Sequence, residues 1–79
     1  MARAPNHDEA LNRAMGIRLT QAMEEADMDA RELARLTGYS EEQIAAFQDG
    51  SATFYVGDIK RLCHALDKTP HWLLGWGLH

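Results

Sequence analysis

The run from Asp27 to Gly50, DMDARELARLTGYSEEQIAAFQDG, leaves this chain few ways to fold. It holds two short stretches, each opening on a small polar residue and closing at a glycine. Asp29 is placed to cap one helix, with Glu32 three residues on, and Ser40 with Gln43 repeats the pattern for the next. Gly38 supplies the left-handed residue that ends the first helix, and Gly50 ends the second. Leu33 and Ala34 in one helix, with Ile44 and Phe47 in the other, form apolar faces that can be buried only against each other and a shared core. Leu36 or Thr37 completes the inward face of the first. So short a connection forces the two helices to cross closely, and Ala34 is small where the second passes over it.

The rest of the sequence supplies that core. From about Asp8 to Asp27, Leu11, Met15, Leu19, Ala22 and Ala26 recur at helical spacing, with Asp8 and Glu9 at the positive end of the helix dipole. SATFY reads as a connector. VGDIKRLCHALD predicts a fourth helix with Val56, Ile59, Leu62, Cys63 and Leu66 as its stripe, weakened in its first turn by Gly57. TPHWLLGW predicts a short fifth, capped by Thr69 with Pro70 in its first turn. No alternating strand pattern or internal repeat is present. The expectation is an all-α domain of five helices over residues 8–79, preceded by a flexible arm over residues 1–7.

These residues resemble a known family. The segment MDARELARLTGYSEEQIAAFQDG, the helix IKRLCHALDKTP and the ending HWLLG are similar to the helix-turn-helix domains of lambdoid phage repressors and Cro proteins, the XRE group. The resemblance runs from about Met15 to Gly75 and implies a lambda-repressor-like fold. It implies a regulator whose second motif helix lies in the major groove of double-stranded DNA while the first crosses the backbone. On that basis the base-reading positions are Glu41, Glu42 and Ala46, within an outward face that also holds Ala45 and Asp49, next to the cap Ser40. Ala30 and Ser51 stand where the family usually places phosphate contacts. Met23 and Gln48 stand where it often joins an Arg to a Glu. A homodimer through the C-terminal end is also implied.

The chemistry at those positions departs from the family. Neither Lys nor Arg lies on the outward face of the second motif helix, and the whole chain carries a net charge of −4. Carboxylates can accept a hydrogen bond from cytosine N4. They also meet repulsion from phosphates and release no counterions. Positive charge remains on Arg31 and Arg35, which lie one turn apart, on Arg13 and Arg18, and on Arg3 in the arm. Arg31 and Arg35 either touch phosphate or pair with neighbouring carboxylates. Two functions therefore stand side by side: a transcription regulator with atypical operator binding, and a protein-binding module whose acidic helix engages a basic protein surface.

Other classes are disfavoured. No nucleophile and base constellation or phosphate-cradling loop is present, so no enzyme or cofactor is expected. His64, His71 and His79 lack a metal-ligand spacing. Cys63 is the sole cysteine and sits on an apolar stripe, as a small core residue would, which suits a reducing cytoplasm. No leader or long apolar run appears, so no membrane partner is expected. Trp72 and Trp76 are expected to pack the last helix, with Trp76 a dimer contact if it is exposed.

Overall fold

The computed structural model describes residues 5–75. It holds α1 (Pro5–Glu25), α2 (Ala30–Thr37), α3 (Glu41–Gln48), α4 (Val56–Leu66) and α5 (Pro70–Leu74), with no strand among the described residues. The five all-α elements match the expectation in number, order and type. The proposed arm, with Arg3, falls mostly outside the described residues, as do Trp76 and His79. Where the arm can be followed it is helical, because α1 begins at Pro5 rather than near Asp8.

The local signals act largely as the sequence suggests. Asp29 accepts from Glu32 N–H at 2.9 Å, and Gly38 closes α2 with φ 87°. The reciprocal half of that box does not form, since the Glu32 carboxylate turns to Arg35. The box at α3 is complete: Ser40 Oγ accepts from Gln43 N–H at 3.0 Å, and Gln43 Oε1 accepts from Ser40 N–H at 2.9 Å. At α5, Thr69 Oγ1 accepts from Trp72 N–H.

The core is built from Met15, Leu19, Ala22 and Met23 of α1, Leu33 and Ala34 of α2, Ile44 and Phe47 of α3, Leu62, Cys63 and Leu66 of α4, and Leu73 of α5. α3 packs on both α1 and α2, α4 packs on α2, and α5 closes against α1 and α4. The stripes predicted for α1 and α4 overreach at their ends: Leu11, Ala26 and Val56 are exposed. Leu36 is also exposed, and its neighbour Thr37 turns inward, where its hydroxyl donates to Leu33 O at 2.7 Å.

Three core features were hidden in the sequence. Gly16 lets α1 approach the C-terminal end of α3 so closely that a Cβ there would lie 2.5 Å from the carbonyl oxygens of Phe47 and Gln48. Phe54, in the supposed connector, is buried and stacks on Phe47 with ring centroids 4.8 Å apart. Asn12 is the buried polar residue of the described core, and its Oδ1 accepts from Phe54 N–H at 3.3 Å. That bond ties the loop after α3 to α1. Trp72 is half-buried, with Lys68 and Arg18 over its ring at 4.5 and 5.4 Å.

Candidate nucleic-acid interface

The capping chemistry and Gly38 turn α3 across α2 with Ile44 and Phe47 inward. Its opposite face is left to solvent. Glu41, Glu42, Ala45 and Asp49 are exposed and Ala46 is half-buried. Neither Glu41 nor Glu42 forms an ion pair among the described residues. The two N-termini of the helix pair converge, so that Asp29, Ala30, Arg31 and Glu41 line one shallow cleft.

The two motif arginines differ. Arg35 pairs with Glu32 at 2.6 Å, the local pairing that the sequence left open. Arg31 is exposed with no ion-pair partner among the described residues, beside the start of α3. It is the guanidinium best placed to meet a ligand of α3.

The remaining candidates are partly engaged within the chain. Ser40 Oγ is held by its cap. Ser51 donates its N–H to Ala46 O at 3.0 Å and to Asp49 Oδ1 at 2.9 Å, and its hydroxyl lies 3.4 Å from Ala46 O. The Ser51 hydroxyl, then its backbone N–H, hold the Asp49 carboxyl below the usual carboxylate range. Met23 does not face Gln48. It is buried, and Gln48 Nε2 donates instead to Thr20 Oγ1 at 3.2 Å, one helical turn earlier on α1.

The sequence reading missed the edge beyond α3. Gln43, Ala46, Thr53 and Tyr55 share a cleft with Tyr39 and Asp58. Thr53 and Tyr55 are exposed, and the Gln43 amide nitrogen has no partner among the described residues. These are neutral donors of the kind that contact phosphate oxygens. The one available signal was the aromatic pair in SATFY, where buried Phe54 pins the loop and leaves its neighbours outward.

Tyr39 ties the turn between α2 and α3 to α4. Its ring meets Phe47 edge-on at 5.3 Å, its hydroxyl donates to Asp58 Oδ1, and Arg61 lies 5.3 Å from the ring centre. The second Asp58 oxygen accepts from Tyr55 N–H at 3.0 Å and so caps α4. Burial, then the bond to the Asp58 carboxylate, push the Tyr39 hydroxyl pKa up to about 12. No metal-binding cluster is found among the described residues, and none of their helices is long and apolar enough to cross a membrane.

Comparison with known proteins agrees with this geometry. No curated protein sequence matches the chain. The structure is similar to the crystal structure of the restriction-modification controller protein C.AhdI from Aeromonas hydrophila, with a TM-score of 0.76 and 25% identity. That match covers 81% of this chain and 97% of the controller protein. The sequence model for the Cro/C1-type helix-turn-helix DNA-binding domain matches residues 18–76, a span holding the helix pair, α4 and α5. The chain therefore belongs to the Cro/C1-type helix-turn-helix DNA-binding domain family.

Proposed function

We propose that the chain is a small transcription regulator that binds operator DNA with α3 in the major groove. The observation that carries this reading is the exposed α3 face flanked by unpaired donors. Arg31 stands at its start, and the Gln43 amide and the hydroxyls of Thr53 and Tyr55 stand along its far edge. Glu41 and Glu42 offer acceptors to base amino groups, and the Ala45 methyl offers a contact to thymine. Because few cations take part, binding depends on hydroxyl and amide contacts more than on counterion release. A structural neighbour that is itself a controller protein supports the same role.

One observation favours a second reading, a module that binds a basic protein surface. The outer face of α3 holds three carboxylates and no cation. The two readings separate by selection from random duplex DNA, followed by a salt titration of the enriched site. Operator binding predicts a slope of log K against log salt of about −1 to −3, with Arg31→Ala making it shallower by about 1. No enrichment at low salt, with Glu41→Lys and Glu42→Lys abolishing capture of a basic partner, would establish the second reading and remove the first.

A further inference from the structure

We propose that the face of α4 beside α2 is a docking surface for the acidic α3 face of a second copy of this chain. The two surfaces are complementary within one molecule. Leu36, Gly57, Lys60, Arg61, His64 and Ala65 line an open groove between α2 and α4. Leu36 projects into it with 48% of its surface exposed, and Gly57 and Ala65 give it a low floor. Lys60 and His64 lie one turn apart on α4, and neither has an ion-pair or hydrogen-bond partner among the described residues. Arg61 also lines the groove, and its guanidinium lies over Tyr39.

The α3 face is the counterpart in charge and in length. Glu42 and Asp49 bracket it across the interval that Gly57 and His64 bracket on α4, about 10 Å in each helix. The exposed Ala45 between them lets a protruding Leu36 approach. The surfaces differ, so the contact is head-to-tail and leaves a free face at each end of a pair. It is also small and charged, so it forms weakly and responds to salt. Its consequence is regulatory: a copy whose α3 is docked cannot present α3 to any other ligand.

The test needs no DNA and so does not depend on the function proposed above. Wild-type protein and two double variants, Glu41→Gln with Glu42→Gln and Lys60→Gln with His64→Gln, are sedimented at concentrations up to about 1 mM, where weak contacts are populated. All four side chains are exposed, so the fold is retained, and circular dichroism checks that it is. In low salt the wild type should shift above its 8.9 kDa monomer mass and return to it near 0.5 M salt. Each variant alone should stay monomeric. Their equimolar mixture should regain a species of twice the monomer mass, since one supplies an intact groove and the other an intact α3. A wild type that stays monomeric throughout overturns the proposal. So does association that survives in either variant, or a mixture that stays monomeric.

Discussion

Replacing Tyr39 by Phe removes one hydroxyl from the junction of α2, α3 and α4 while keeping the ring that packs on Phe47. The hydroxyl donates to a carboxylate, and a bond of that kind contributes about 1.5–3 kcal/mol net when it is shielded. Asp58 is half-buried, so water partly replaces the lost donor. The raised pKa bounds the part of the effect that depends on pH. A rise from 10.0 to about 12 corresponds to a ceiling of about 2.7 kcal/mol at 1.36 kcal/mol per unit. Tyr39 is only partly buried, and solvent screening brings that toward about 1 kcal/mol. The screened hydrogen bond places the cost of Tyr39→Phe at about 1–1.5 kcal/mol at neutral pH. The sign in pH follows from the raised folded-state value. The folded chain holds the phenolic proton more tightly than the unfolded chain, so the contribution is fully present below pH 10. It is then lost as the pH climbs from 10 toward 12. Urea denaturation of wild type and Tyr39→Phe, followed by helical circular dichroism from pH 7 to 11.5, should show a gap that is constant to about pH 9.5 and then narrows. A double-mutant cycle with Asp58→Ala should return a coupling of about 1 kcal/mol. A gap that ignores pH, or a coupling near zero, would refute the account of this junction.

Gly16→Ala should destabilise by about 2–3 kcal/mol in thermal melts, since its Cβ would press 2.5 Å from two backbone oxygens of α3 that cannot swing aside. Gly57→Ala is the opposite case: its Cβ meets nothing within 4 Å in the first turn of α4, so the melting temperature should rise by an amount worth about 0.5–1 kcal/mol. Asn12→Ala should cost about 1–3 kcal/mol by leaving the Phe54 N–H unpaired, with amide exchange at Phe54 rising first. Stability between 0.05 and 0.5 M salt should move by less than about 1 kcal/mol, because the ion pairs among the described residues, Arg35 with Glu32 and Lys68 with Glu25, are surface pairs.

The fold was legible because its signals are local and short-ranged. Asp29, Ser40 and Thr69 each bond within their own first turn, and Gly38 and Gly50 take positive φ whatever lies around them. What sequence could not show is where one helix touches another. Gly16 reads as an ordinary weak spot in a helix until α3 is laid on it, and Phe54 reads as a loop residue until Phe47 is beside it. The site divides the same way. The acidic face of α3 follows from helical periodicity and stands as expected. The fate of Arg35 depended on a rotamer, since the Glu32 carboxylate turned forward to Arg35 rather than back to its cap, and Arg31 has no ion-pair partner among the described residues.

That division explains how an acidic reading helix coexists with an intact scaffold. The seam between α1 and α3 is held by neutral chemistry. Thr20 Oγ1 donates to Gly16 O at 3.0 Å and accepts from Gln48 Nε2, so the hydroxyl is satisfied on both sides and no buried charge needs a partner. A lone Arg or Glu at such a seam would demand its mate or cost several kcal/mol. A neutral pair constrains no charge elsewhere. Tyr39, Asp58 and Arg61 then tie the start of α3 to α4 from its other side. Glu41, Glu42 and Ala45 are thus free of any structural duty beyond their helix, and Asp49 only holds the turn at Ser51. Their chemistry answers only to whatever α3 meets, whether base edges, a basic protein or the α4 groove of another copy.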